Sequence, residues 1–402
     1  MKRRAVFTIC CKNYLAFAKT LLESLKNTNS DVDRYLVLCE RENTINDKDG
    51  INCEVILAQD LDIARFKEMS YAYSVVELNT CIKPAALKRI LALGYDEVIY
   101  LDPDIKVYGR LDPLWPSICE ASIILTPHLT QPCKSNLHNF EINTMQMGIY
   151  NLGFLGVSAS NITKNFLEWW DGHCQYNGFD YQEKGLFVDQ KFCDLVPAIF
   201  ESVFIAKHMG ANVAYWNLHE RGIAKHGNII KINGEFPLIF FHYSGIEVGL
   251  DYGISKHLNG LSIKDRPDLE MLFSEYRNDL RRNNQMKYAN EPYSFERRKD
   301  GSKIHELDRL VFTASNFDRL GNSASEIKCE TNKIDAGGYI CNCGNQRINQ
   351  VRLKTKKQSI LASKLIFIGI KTMQWIVGPK LLVKTLYRIS RYSHPRIITR
   401  WL

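Results

Sequence analysis

The chain has 402 residues, 45% hydrophobic and 24% charged, which excludes collagen-like, low-complexity and wholly disordered proteins and allows one large domain with an extension, or two domains. Fifty-two basic against 44 acidic residues give a formal charge of +8, yet the last acidic residue is Asp335 and thirteen Lys or Arg follow it. Residues 1–335 therefore hold 39 basic and 44 acidic groups, a net of −5, and a general nucleic-acid groove in the body is not expected.

Met1-Lys2-Arg3-Arg4 ahead of an apolar run imitates a secretory signal. Lys12-Asn13 ends that run and no small-residue cleavage site follows, so Ala5–Cys11 reads as a first strand. Leu15–Leu25 has helical spacing, with apolar residues at 15, 18, 21, 22 and 25. Tyr35–Cys39 and Glu54–Leu57 read as strands, Pro84–Leu93 as a helix and Glu97–Leu101 as a fourth strand. Strands separated by helices predict right-handed crossovers in an α/β fold. Such a fold has a mostly parallel sheet, helices on both faces and a ligand crevice at the carboxyl ends of the strands.

Beyond Asp104, Ser122–Thr126, Gly148–Val157, Ile229–Ile232 and Leu238–His242 read as strands, and Ile162–Trp170 and Leu186–Leu195 as helices. Gln131–Thr144 is polar and patternless and is expected to be a loop over a site. A charged helix from Arg266 to Arg282 opens an extension, so the expected division is 1–265, 266–335 and 336–402. Twelve cysteines include no C-x-x-C, and Cys329, Cys341 and Cys343 lack a well-spaced fourth zinc ligand. Free, mostly buried thiols suit a reducing cytoplasm, and no stretch reaches the roughly 18 apolar residues of a membrane span.

Val98-Ile99-Tyr100-Leu101-Asp102-Pro103-Asp104 is the most informative stretch. Residues i and i+2 of an extended chain point the same way, so a buried strand here delivers two carboxylates toward one hard divalent cation. The chain has three other D-x-D triplets, Asp31/Asp33, Asp47/Asp49 and Asp60/Asp62, which lie in polar sequence and read as solvated turns. Only Asp102/Asp104 ends an apolar strand at the expected crevice.

Together with Lys83-Pro84-Ala85-Ala86-Leu87, this stretch resembles the nucleotide-sugar-binding half of GT-A glycosyltransferases, nearest the family 8 type. More closely, the chain is similar to a group of bacterial glycosyltransferases. Their blocks are Phe7-Thr8-Ile9 with Lys12-Asn13-Tyr14-Leu15, Leu125-Thr126-Pro127-His128-Leu129-Thr130, Tyr150-Asn151-Leu152-Gly153-Phe154, Gly185-Leu186-Phe187-Val188-Asp189-Gln190, Asn212-Val213-Ala214-Tyr215-Trp216-Asn217-Leu218-His219-Glu220-Arg221 and Phe240-Phe241-His242-Tyr243-Ser244-Gly245. The resemblance implies Thr8 beside the base or ribose, Asp102 on ribose or metal, and Asp104 and His242 on the metal, Mn²⁺ or else Mg²⁺. It also implies Asn151 at the sugar, with Gly153 allowing close backbone approach, and Asp189 and Gln190 as catalytic groups. Asp189 would take the acceptor proton in an inverting reaction or, like Gln190, stabilise the oxocarbenium-like carbon in a retaining one. Lys256 stands where the family has a phosphate-binding lysine, although the step from Gly245 is longer and the family's Pro-Trp is missing; Lys83 and Arg89 are the other phosphate candidates. Trp216 to Arg221 and His128 are candidates for sugar and acceptor contacts.

Lys357, Lys364 and Lys371 recur every seven residues, and Lys380, Lys384, Arg388 and Arg391 follow at four, four and three. Opposed by Trp375, Tyr387 and aliphatic residues, these stripes have the pattern of helices lying in a membrane interface. The expectation is a metal-dependent enzyme moving a sugar from a nucleotide-diphosphate sugar, UDP-sugar favoured, to a glycan or lipid-linked acceptor in surface polysaccharide biosynthesis. It would work in the cytoplasm, held peripherally on the anionic inner membrane face by the tail, with no nucleic-acid partner. Two alternatives stand beside it. A sugar-1-phosphate nucleotidyltransferase would want a glycine-rich loop after the first strand, where Cys10-Cys11-Lys12-Asn13-Tyr14 has no glycine. The other is a non-catalytic sugar-nucleotide-binding membrane scaffold.

Overall fold

Four hydrophobic strands, β1 (Arg4–Cys10), β2 (Asp33–Leu38), β3 (Glu54–Leu57) and β4 (Glu97–Leu101), begin the fold. The helices α1 (Leu15–Thr28), α2 (Phe66–Ala72), α3 (Val75–Cys81) and α4 (Lys83–Leu91) lie between them in sequence. The computed structural model describes residues 2–313 except 47–48, 135–137, 250–252, 259–261, 299, 306–307 and 310–311. Residues 1–297 form one compact unit and 298–402 a second. The basic tail, the Cys329, Cys341 and Cys343 group and most of the segment 298–335 therefore lie outside the described residues.

The second half adds β5 (Ile105–Val107), β6 (Ile123–Pro127), α5 (His138–Met147), β7 (Tyr150–Ser158), α6 (Asn161–Asn177), α7 (Val196–Ile199) and β8 (Val203–Ile205). It continues with β9 (Ile223–His226), β10 (Ile229–Ile232), β11 (Phe236–Pro237), β12 (Phe240–His242), α8 (Glu270–Arg282) and α9 (Gln285–Tyr288). The main sheet has the order β3-β2-β1-β4-β7-β6-β8, with β9–β11 and the β5–β12 pair as separate small sheets. Four of its six pairings are parallel, and β7 alone runs against both of its neighbours. The expected α/β class is thus what the chain adopts, with a mostly parallel sheet followed by extension helices.

Strand order reverses between β1 and β4, which opens a crevice at their carboxyl ends. The register Phe7↔Tyr100 sets Thr8 beside Leu101 and the start of the Asp-Pro-Asp turn. β4 is buried along its whole length, and buried Glu97 at its start accepts from Arg4 Nε at 2.9 Å and Ser117 N at 2.6 Å. Local signals set several helix starts. Ser74 and Glu77 form a capping box on α3, Pro84 lies in the first turn of α4, and Ser160 caps α6 by accepting from Thr163 N.

Two expectations are corrected. Gln131–Thr144 is not a bare loop, because α5 begins at His138 and continues to Met147. Its Ile142 and Met145 are exposed, so no buried stripe marks the helix in the sequence. Leu186–Leu195 is not one helix either: a 3-10 turn covers Lys191–Leu195, and the four-residue α7 follows it. Positive φ at Gly185 (73°) and Val188 (42°) breaks the helical path before Asp189. Among the other acidic triplets, Asp49 departs from the solvated-turn reading: it is buried and accepts from the Tyr288 hydroxyl at 2.6 Å.

Helix α8 packs its Leu272, Phe273, Tyr276 and Leu280 into one core with Leu15 and Phe17 of α1 and Leu36 of β2. Pro267 sets its start, in a 3-10 turn at Pro267–Leu269. The nine described cysteines are free thiols, and no described helix is long and apolar enough to cross a membrane.

Candidate functional site

Two strand ends bring the expected metal ligands together. Asp102 and Asp104 leave β4, and the antiparallel pairing of β12 with β5 sets His242 opposite Ile105. Tyr243 N donates to the Asp104 carbonyl at 2.9 Å and closes this junction. His242 Nε2 lies 3.1 Å from Asp104 Oδ1 and 3.7 Å from Asp102 Oδ2. One ligand atom from each of the three residues falls within 4.8 Å of the others.

The hydrogen bonds behind His242 decide which nitrogen faces the carboxylates. Asn151 Oδ1 accepts from the backbone N–H of Gly153 at 3.2 Å, which fixes that atom as an acceptor. His242 Nδ1, 3.2 Å from the same oxygen, must therefore carry a hydrogen and donate. Nε2 is left facing the two acids, and their charge favours either a proton or a divalent cation on it. Asp104 raises the imidazole against the opposing effect of burial. For Asp104 burial is opposed in turn by His242, which draws the carboxyl below its usual range. A hydrogen-bonded second ring nitrogen is what holds a metal-binding histidine in place, so oxygen, oxygen and imidazole nitrogen fit Mn²⁺ and, less well, Mg²⁺.

Asn151 therefore lies behind the histidine as its support. Asn212 Nδ2 donates to Asn151 Oδ1 at 3.1 Å, and Asn151 Nδ2 donates to His128 Nε2 at 3.3 Å. His128 Nδ1 bonds Ile149 O at 3.3 Å, and burial lowers its pKa to about 4, so the ring is neutral. A methyl group at Gly153 would come within 2.5 Å of His242 Cε1 and 2.7 Å of Asn151 Oδ1. The glycine is required for this close approach of strand and imidazole.

Lys83, Asp189 and Asp102 form the second half of the site. Lys83 Nζ is buried, 3.1 Å from Asp189 Oδ2 and 3.8 Å from Asp102 Oδ1, and donates to Leu152 O at 3.0 Å. It is not a solvated helix charge, whereas Arg89 is exposed. The carboxylates keep Lys83 cationic against the effect of burial. Asp189 is 1% exposed, and burial raises its pKa from 3.8 to about 6, with Lys83 opposing. Its backbone carbonyl accepts from Trp170 Nε1 at 2.9 Å. Neither carboxylate oxygen has a directed hydrogen bond, and the Lys83 contact is an ion pair. Gln190 bridges Leu152 N, by Oε1 at 2.9 Å, and Met147 O, by Nε2 at 3.1 Å. Its side chain thus fastens the start of β7 to the end of α5.

Thr8 Oγ1 and Trp216 Nε1 are also buried without a partner, and Trp216 packs edge-on to His242 at 5.2 Å. Buried polar atoms are normally paired, so unpaired ones gathered around a cluster of acids mark a place for a ligand. The rest of the Trp216–Arg221 cluster is turned to structural use. Asn217 Nδ2 donates to His128 O and Asn212 O, Glu220 accepts from Thr130, and Arg221 Nη1 donates to Ala211 O at 2.7 Å. His219 Nε2 meets Cys133 Sγ at 3.4 Å. Lys256 is exposed, and its backbone N–H bonds Gly245 O at 2.9 Å.

Residues outside the expected set also build the site. The Tyr100 hydroxyl donates to Asp102 Oδ1, and its ring lies 4.8 Å beneath Lys83 Nζ. Its i, i+2 relation to Asp102 was a readable signal. Asn212 opens one of the resembling blocks, but its role depends on a non-local contact with Asn151 that the block did not reveal. Tyr14, 39% exposed, comes under the field of Asp104 and Asp102, which add to burial in raising its pKa.

No family model matches the sequence. The chain is 24% identical over 277 residues to YfnF of Bacillus subtilis (strain 168), an uncharacterized protein, covering 67% of this chain and 90% of YfnF. To YfnD of the same organism, also uncharacterized, it is 24% identical over 208 residues, 50% of this chain and 63% of YfnD. Among solved structures, galactosyltransferase LgtC in complex with donor and acceptor sugar analogs matches with a TM-score of 0.39 at 14% identity. That match covers 68% of this chain and 95% of LgtC. Mouse xyloside xylosyltransferase 1, in its apo form, matches with a TM-score of 0.38 at 15% identity, covering 60% and 97%.

Proposed function

We propose that the protein is a metal-dependent GT-A glycosyltransferase of hexosyltransferase type. It takes a sugar from a nucleotide-diphosphate sugar, UDP-sugar favoured, and passes it to a glycan or lipid-linked acceptor in surface polysaccharide biosynthesis. The observation that carries this reading is the convergence of Asp102, Asp104 and an Asn151-oriented His242 at the crevice between β1 and β4. Bound there, Mn²⁺ or Mg²⁺ would neutralise the charge that develops on a departing diphosphate. Thr8, whose hydroxyl is unpaired at the end of β1, borders the nucleoside. Lys83 holds Asp102 and Asp189 together at the sugar end, and Asp189 is the acid-base or carbon-stabilising group. Gln190 sets the position of β7 next to it, and exposed Lys256 is available to a phosphate.

The test is a screen of nucleotide sugars with and without Mn²⁺, scored by donor hydrolysis. No binding or turnover of any donor in the full-length protein refutes the reading. The same assay should show an acidic limb. With a pKa of about 6, Asp189 is neutral at lower pH and can neither take a proton nor face a positive carbon. Turnover therefore falls roughly tenfold per unit below that value, and a profile flat down to pH 5 removes Asp189 from the chemistry. Stability runs the opposite way. The folded chain holds this proton more tightly than the unfolded one, so the contribution is complete below 3.8 and is lost as pH rises to about 6.

For the tail we propose peripheral attachment to the cytoplasmic face of an anionic membrane. Each Lys or Arg near such a surface is worth about 1 kcal/mol, and 336–402 has thirteen with no acid. Deleting 350–402 should abolish co-sedimentation with anionic liposomes, and unchanged partition refutes the attachment.

A further inference from the structure

Tyr276 of α8 has a ring with a clear packing role and a hydroxyl with none. The ring is fully buried and stacks on Tyr243 with 3.7 Å between centroids and 7° between planes. Tyr243 is the residue after His242 and bonds the Asp104 backbone, so the stack stands directly behind the metal ligands. Its own hydroxyl is satisfied, meeting Tyr108 Oη and donating to Leu272 O at 3.2 Å. The Tyr276 hydroxyl has no hydrogen-bond partner.

A buried hydroxyl without a partner is destabilising, and phenylalanine would fill the same stack without that cost. The surroundings relate the residue to the acidic pair. Apart from burial, the group that does most to keep it protonated is the Asp104 carboxylate, ahead of Tyr243 on which the ring lies and ahead of Tyr14. Tyr14 is itself under the field of Asp104 and Asp102. The two tyrosines flank Phe17, which stacks on Tyr14 at 4.5 Å and lies 6.5 Å from Tyr276. The ring thus lies between Phe17 of α1 and the strand end that carries His242.

We propose that Tyr276 is a donor-binding residue, whose hydroxyl donates a hydrogen bond to a phosphate oxygen of the nucleoside diphosphate. This rests on the glycosyltransferase reading and extends it to the region beyond residue 265. Two carboxylates in the same crevice repel a diphosphate, and a neutral donor adds a hydrogen bond with no further negative charge. Helix α8 then completes the donor site. It is tied down by Lys106, which pairs with Glu275 and Asp279, and by Arg277 Nη2, which donates to Gly253 O at 2.6 Å. Gly253 lies in the loop that carries Lys256.

The experiment is calorimetric titration of UDP, GDP and ADP, each with Mn²⁺, into full-length wild type and Tyr276→Phe, with thermal unfolding of both ligand-free proteins. Loss of a hydrogen bond to a charged group should weaken binding of the preferred nucleotide about tenfold or more, and the ligand-free midpoint should stay the same or rise. Tyr243→Phe, which loses an internal hydrogen bond next door, should lower the midpoint and leave the affinity near that of wild type. Wild-type binding that Tyr276→Phe leaves unchanged overturns the inference and spares the functional reading, as does a lowered midpoint with unchanged affinity, which would make the hydroxyl structural. Failure of wild type to bind any of the three nucleotides overturns both.

Discussion

Asp104→Ala should cut metal-dependent donor hydrolysis by roughly three orders of magnitude, the equivalent of about 4 kcal/mol of transition-state stabilisation. Asp104 contributes the oxygen closest to His242 Nε2, at 3.1 Å, and its backbone carbonyl is held separately by Tyr243 N. The substitution therefore removes a ligand without releasing the β5–β12 junction. Stability should change little, because the histidine keeps its Asn151 bond and no cation remains buried without a counter-charge. The measurement is hydrolysis with and without Mn²⁺, for wild type, the variant and wild type in EDTA. The last two should coincide and should not combine. Turnover by Asp104→Ala equal to that of wild type would sink the metal role of this triad.

Lys83→Met should have the largest effect on stability, about 3–5 kcal/mol at neutral pH. The lysine faces Asp189 at 3.1 Å and Asp102 at 3.8 Å from a fully buried position, and Asp189 has no hydrogen bond to fall back on. Removing the cation leaves a buried carboxylate uncompensated, whereas the methionine itself fits an apolar site. Lys83 is the main influence holding the Asp189 pKa down against burial, so in the variant it rises further above 6. The neutral acid is then the cheaper form. The stability gap between variant and wild type should accordingly narrow as pH falls from 7 toward 5. Chemical denaturation at both values measures it, and a gap below about 1 kcal/mol at pH 7 would mean that Lys83 does not neutralise Asp189.

The chain by itself was informative where interactions are local. Short apolar runs between helical segments identified β3 and β4 to the residue, and the Asp-Pro-Asp turn after β4 exposed the acidic pair. Pro84, Ser160 and Pro267 mark helix starts with side chains that act within one turn. Helix α5 was not legible, because its Ile142 and Met145 face outward and leave no hydrophobic stripe to read. The break before Asp189 was hidden for a different reason. Val188 at φ 42° is held in an unfavourable backbone region by its surroundings, including the bond from its N–H to Phe179 O.

What only the tertiary structure decided is the electrostatic character of each group. Net charge, divided at Asp335, showed a mildly acidic body and a basic tail from the sequence alone. It could not show that Lys83 is buried between two acids instead of solvated on α4, or that Asn151 sets the hydrogen on His242 Nδ1. Nor could it show that Tyr276 stacks on Tyr243, the residue that follows His242. Those properties depend on burial and on partners 106, 91 and 33 positions away in sequence. Desolvation and pairing are fixed only when the chain has closed on itself, and they determine which of its many charged residues can do chemistry.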